Sequence, residues 1–233
     1  METKMIVEKD QLKEYRKPVY EVQNPVIRIL SKIISYIFHP LFVPVYIIGF
    51  LISAEPYLFS GLTGFKKILF LLQFFIMYAF FPFVTILLMR GLGFLDSIYL
   101  KTQKERIIPY IACGIYYFWM CYVLRHQADH SDKIVQLSMA IFIASSIGLI
   151  VNIYMKVSMH AMCMGVLLVF TGLLVPVLSS NFTLYMSAVL LIVGLVCTAR
   201  LIVSDHTPGE IYMGLLVGAV SQILAVWADG LLP

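Results

Sequence analysis

The chain has 233 residues, 61% of them hydrophobic and 13% charged, with a formal net charge of +4 and a mean hydropathy of +0.90. A soluble domain carries about 45–50% apolar and about 25% charged residues, and a water-facing two-layer core could not hide this much apolar surface. The composition therefore excludes an ordinary soluble fold and implies an all-α, polytopic membrane helix bundle, whose outer face is solvated by lipid. No nucleic-acid partner is expected.

The first 26 residues mix Lys4, Lys9, Lys13, Arg16 and Lys17 with Glu2, Glu8, Asp10 and Glu14. They lack the apolar core and small-residue cleavage site of a secretory signal and read as a water-facing tail. Residues 27 to 233 read as a single transmembrane domain. A bilayer core needs about 20 apolar residues per helix, and runs near that length lie at 27 to 53, 66 to 89, 107 to 124, 134 to 155, 160 to 178, 183 to 203 and 211 to 228. Six or seven spans are expected. The first run is the least regular, because "FHPLFVPVY" carries Pro40 and Pro44, each of which removes a backbone donor and kinks a helix. The connection "GLGFLDSIYLKTQKER" at 91 to 106 mixes charge with Phe94 and Tyr99, as interfacial segments do. Gly214 and Gly218 in "GLLVGA" form a small face suited to close helix contact. Cys113, Cys121, Cys163 and Cys197 fall inside apolar runs, with no spacing that suggests zinc or a disulfide framework.

If all seven runs span, the tail, the 91 to 106 connection, the "KVSMH" break at 156 to 160 and "ARLIVSDHTPGE" at 199 to 210 share one membrane face. That face would hold 13 of the 17 lysines and arginines, which the positive-inside rule turns toward the cytoplasm. It would also gather Lys101, Lys104, Arg106, Ser158, His160, Arg200 and His206. Fixed cations, a hydroxyl and two imidazoles suit an anionic, phosphorylated ligand, since phosphoryl transfer is helped by preplaced positive donors, an in-line nucleophile and an acid for the leaving oxygen.

These stretches resemble the type 2 phosphatidic acid phosphatases, relatives of the vanadium-dependent haloperoxidases. That family's pattern is Lys, six residues, Arg-Pro; then Pro-Ser-Gly-His; then Ser-Arg, five residues, His, three residues, Asp. Here Lys101 and Pro109 keep the first spacing with Ile108 in place of Arg; "VSMH" keeps Ser158 and His160, with Val157 and Met159 departing; and Arg200, His206 and Glu210 keep the third, with Ala199 for Ser and Glu for Asp. The resemblance covers roughly residues 101 to 218. It implies a metal-independent hydrolase of lipid phosphates in a membrane, by analogy the inner membrane of a bacterium, with the site toward the periplasm, opposite to the charge count. By the same resemblance His206 is the nucleophile that forms a phosphohistidine, His160 the acid and then base, Glu210 the group orienting His206, and Lys101, Arg200, Ser158 and, from a shifted position, Arg106 the phosphate ligands. No cofactor is implied.

Each residue also has a plainer reading. Lys101, Lys104 and Arg106 suit interfacial anchors, and Arg200 suits a snorkelling arginine, although an arginine at helix depth costs about 2.5–3.5 kcal/mol and calls for a partner. "TPGE" makes Thr207 an N-cap, Pro208 the first helical residue and Glu210 the third, a capping box, so Glu210 fits either a cap or an orienting acid. Ser158 suits an N-cap and His160 an interfacial histidine, while Asp205, His39, His126 and His130 read as structural or solvated. A catalytically weak or inactive relative, acting as a lipid-phosphate binder or scaffold, stays open as the alternative function.

Overall fold

The structure, a computed structural model, describes residues 3–8, 11–16, 24–100, 102–127, 131–174, 182–203 and 206–231. In the tail, β1 (Thr3–Glu8) pairs antiparallel with β2 (Gln11–Arg16), Thr3 opposite Arg16 and Glu8 opposite Gln11. Among the described residues, everything else that is regular is helical.

The run at 27 to 53, expected as one span, is two helices. Helix α1 (Pro25–Ile37) is capped by the Asn24 side chain on the Val26 N–H, and α2 (Val43–Ala54) starts after an elbow at 38–42. Pro40 has no N–H to donate and disfavours helical backbone in the residue before it, so the helix breaks at His39. At 13 residues α1 is about 20 Å long, too short to cross a hydrocarbon core alone. Its apolar side, with Val26, Ile29, Leu30, Ile33 and Ile37, is exposed, whereas Ser31 and Ser35 are buried where α1 packs on α8.

A continuous helical stretch follows in three parts: α3 (Gly64–Phe75), a π-helical turn (Ile76–Phe80) and α4 (Phe81–Gly91). The widened turn sits just before Pro82, whose ring and missing N–H conflict with regular i to i−4 bonding. Then come α5 (Gln103–Arg125), α6 (Asp132–Val151), α7 (Met159–Leu173), α8 (Phe182–Val203) and α9 (Pro208–Asp229). Among the described residues, five helices are long and apolar enough to cross a membrane: Gly64–Gly91, Gln103–Arg125, Asp132–Val151, Phe182–Val203 and Pro208–Asp229; α2 and α7 are shorter apolar helices. The fold is a helical, multi-pass membrane bundle.

Its centre is the parallel pair α7 and α9, with α6 against α9, α5 against α6, and α8 against α7. Glycine permits the closest approach: a Cβ on Gly214 would lie 2.7 Å from the Ser158 carbonyl oxygen, one on Gly218 would strike the Met162 carbonyl, and one on Gly165 the Leu215 carbonyl. The small face at 214 and 218 therefore packs the last helix inside the bundle. At one end the bundle is tied by Arg125, whose Nη1 donates to Asp229 Oδ1 at 2.8 Å, and by Gln136 Nε2, which donates to Asp229 Oδ2 at 2.9 Å. The other end holds the polar loops.

Candidate functional site

At that second end, the start of α5, the 152–158 turn, the start of α7, the end of α8 and the start of α9 meet the α1–α2 elbow. Between them lies a cavity of about 650 Å³ whose lining includes Arg106, Lys156, His160, Arg200 and His206, joined by Lys32, Ser35 and His39. Segments remote in sequence thus converge on one pocket. Lys101, Asp205 and His130 lie outside the described residues.

His206 owes its position to the cap of α9. Thr207 accepts the Glu210 N–H at 3.2 Å, and Glu210 Oε2 accepts the Thr207 N–H at 3.1 Å, a reciprocal capping box with Pro208 in the first turn. The same Oε2 lies 2.9 Å from His206 Nδ1. The two readings of Glu210 are therefore one arrangement: the carboxylate caps the helix and holds the imidazole. With Nδ1–H donated to the carboxylate, the lone pair of the neutral ring is on Nε2. Burial pulls the His206 pKa down to about 4; the Glu210 hydrogen bond opposes that, and Arg106, Lys156 and Arg200 add to it. His206 is thus a neutral base at neutral pH.

Arg106 is 4% exposed. Its Nε donates to the Leu100 carbonyl at 3.0 Å and its Nη1 to the Val157 carbonyl at 2.7 Å, which leaves three of the five guanidinium N–H donors for the cavity. The side chain ties the 92–102 loop to the 152–158 turn. Leu100 makes this possible by adopting φ 47°, a left-handed conformation that costs a bulky residue about 1–3 kcal/mol and is offset by burial of its side chain with Met89 and Leu95. On α5 the residues facing the cavity are Arg106, Pro109, Tyr110, Cys113 and Tyr117, a helical stripe. Ile108, standing where the family pattern has arginine, lies off that stripe and is exposed.

Ser158 is fully buried and is absent from the cavity lining. It is the N-cap of α7, its Oγ accepting the Ala161 N–H at 3.5 Å, and its N–H donates to the Glu210 carbonyl at 3.2 Å. The structure thus assigns Ser158 the cap position rather than a place beside a ligand. Its N–H nevertheless joins the starts of α7 and α9, so two helix N-termini point toward one end, where their dipoles favour an anion. His160 lines the cavity, and its Nε2 is 3.1 Å from the Ser35 carbonyl oxygen, which makes Nε2 the protonated nitrogen and leaves Nδ1 for proton exchange.

Lys32, Ser35, His39 and Lys156 line the cavity without having been among the expected ligands. His39, read as structural or solvated, lines the cavity with its ring centroid 5.4 Å from that of His160; burial, then the charge of Arg200, lower its pKa to about 4. The His39-Pro40 elbow that breaks the first run is also what delivers it, but nothing in a single sequence says where an elbow will dock. Lys156 is buried and lines the pocket; its signal was a lysine immediately before "VSMH". His126, by contrast, packs against the Tyr122 ring at a tilt of 36° at the far end of α5 and stays outside the site.

No protein-family model, no curated protein and no solved structure matches this chain.

Proposed function

We propose that the protein is a membrane phosphatase that hydrolyses a lipid phosphate monoester or diphosphate through a phosphohistidine, a distant member of the type 2 phosphatidic acid phosphatase kind with six or seven spans. The observation that carries this reading is His206, held at Nδ1 by buried Glu210 and opening on a cavity it shares with His160, Arg106, Lys156 and Arg200. His206 Nε2 attacks phosphorus and the bond to the lipid oxygen breaks, the leaving oxygen taking the Nδ1 proton of His160, which enters this step as the imidazolium and leaves it neutral. Water then attacks the phosphohistidine, giving a proton back to His160, and inorganic phosphate departs as the N–P bond breaks. Arg200, Lys156 and the remaining Arg106 donors face the phosphoryl oxygens, where preplaced positive charge stabilises the transition state most. Lys101 completes this set on the strength of its spacing alone.

A second reading, a lipid-phosphate binder without turnover, is favoured by one feature: Arg106 and His160 both spend donors on backbone carbonyls. Phosphate release from lipid phosphates by detergent-purified protein separates the two. The phosphatase reading expects release that orthovanadate inhibits and that His206→Ala abolishes. Release surviving His206→Ala removes the assigned nucleophile, and binding without release selects the second reading.

A further inference from the structure

The charged side chains and imidazoles gather at one end of the cavity. Along α5 its lining runs from Arg106 to Tyr117, eleven residues and therefore about 16 Å at 1.5 Å per residue. Past the histidines the wall is formed by Phe83, Cys113, Leu137, Ile141, Ala144 and Val166, contributed by α4, α5, α6 and α7. Tyr110, Tyr117 and Ser145 bring hydroxyls to this deeper part, each engaged within the protein, Tyr117 with Cys113. Ser145 Oγ donates to the Phe142 carbonyl at 2.9 Å, and Tyr110 donates to Met162 Sδ at 3.8 Å. A buried water needs about two to four polar partners, and a sugar or nucleoside needs more. Among the described residues, this wall offers an occupant mostly apolar contact.

We infer that the deep part of the cavity encloses a single hydrocarbon chain of the phosphate-bearing ligand inside the bundle. This rests on the phosphate reading for the polar end, which fixes where the headgroup stops and the chain begins. Carbon–carbon bonds of about 1.5 Å project about 1.3 Å each along a zig-zag, so the depth of about 16 Å, less the few ångströms the phosphate takes beside Arg106, holds about ten carbons. Volume agrees: at about 30 Å³ per water-sized group, 650 Å³ holds roughly twenty such groups, enough for one phosphate and one such chain. A ligand with two long chains would have to leave one in the bilayer.

The test uses the full-length protein in detergent and a series of n-alkyl phosphates from butyl to hexadecyl, each below its micelle-forming concentration, with inorganic phosphate as the chain-free arm. Calorimetric titration is expected to show affinity rising about fourfold per methylene, with a break near decyl. Ala144→Leu and Cys113→Phe, on two different helices, should each move the break to shorter chains while leaving butyl phosphate binding unchanged. Affinity that climbs without a break through hexadecyl in the parent reports partition into detergent and overturns the inference. So does inorganic phosphate binding as tightly as decyl phosphate. Should neither variant fold, as read by thermal unfolding, the break in the parent decides alone. A chain-length break without hydrolysis keeps the chain site and rejects the phosphatase; hydrolysis indifferent to chain length does the reverse.

Discussion

Glu210 Oε2 lies 2.9 Å from His206 Nδ1 and 3.1 Å from the Thr207 amide nitrogen, so one buried oxygen both starts a helix and orients an imidazole. On the proposed mechanism, this one atom serves both turnover and stability. Glu210→Gln can keep both bonds through its amide oxygen, losing about 1 kcal/mol of stability, but it removes the negative charge that stabilises the cationic ring formed when His206 takes the phosphoryl group. Turnover of a lipid phosphate should fall about 10²-fold or more with little change in KM. Unchanged turnover would show that Glu210 serves the helix alone.

The depressed pKa of His206 gives a signed pH dependence. Its folded-state value, about 4, lies below the unfolded value of about 6.5, so between those pH values the unfolded chain binds the extra proton. The contribution of His206 to stability is fully present above about pH 6.5 and is lost as pH falls toward 4. Modification of His206 by diethyl pyrocarbonate, which reacts with neutral imidazole, should accordingly persist to near pH 4. In Glu210→Gln the midpoint should move lower still, because a neutral amide replaces the carboxylate whose hydrogen bond raises the pKa.

Arg106 is expected to matter for folding as well as for binding. Arg106→Ala leaves the Leu100 and Val157 carbonyls without their guanidinium donors, at about 1–3 kcal/mol for each buried group left unpaired. Thermal unfolding in detergent should show a clear loss, with Arg106→Lys recovering only part of it because an ammonium cannot span both carbonyls in one plane. Equal melting temperatures for parent and Arg106→Ala would refute the tie between the two loops.

Ile108→Arg would restore the residue of the family pattern, yet position 108 lies off the cavity-facing stripe of α5 and is exposed. Phosphate release should not increase, and yield in the membrane should fall, since a charge on a lipid-facing helix surface is costly. A gain in activity would place this side chain in the pocket after all.

Gly218→Ala tests the pair α7 and α9. Its new Cβ would strike the Met162 carbonyl, forcing the helices apart at a cost of about 1–3 kcal/mol. Because the two helices start at His160 and His206, activity should drop further than stability. Gly172→Ala, where a Cβ meets open space, is the control and should be silent in both assays.

The helices were legible because lipid demands long apolar runs, and six of the seven apolar runs reappear as helices ending within a few residues of expectation, apart from the ends at 155 and 178, where α6 and α7 stop at Val151 and Leu173. The exception, 27 to 53, carried its own warning in Pro40 and Pro44. The capping box of "TPGE" was legible for a different reason: both of its hydrogen bonds span three residues, so local sequence contains the whole device. The break at His39 could be suspected, but the contact of His39 with His160 could not, because 121 positions separate them and no local rule sets where an elbow docks.

Composition, hydrophobic run length and the short-range spacing of Thr207, Glu210 and His206 were thus enough to determine a lipid-solvated helical bundle and one capped, imidazole-bearing helix start, since each depends on solvent or on neighbours within a turn. Which side chains share a cavity was decided only by packing. The glycines of α7 and α9 set how closely those helices approach, the stripe of α5 turned Arg106 inward and Ile108 outward, and the depth of the pocket came from gaps among α4, α5, α6 and α7. Such gaps belong to several helices at once, and no single stretch of chain encodes them.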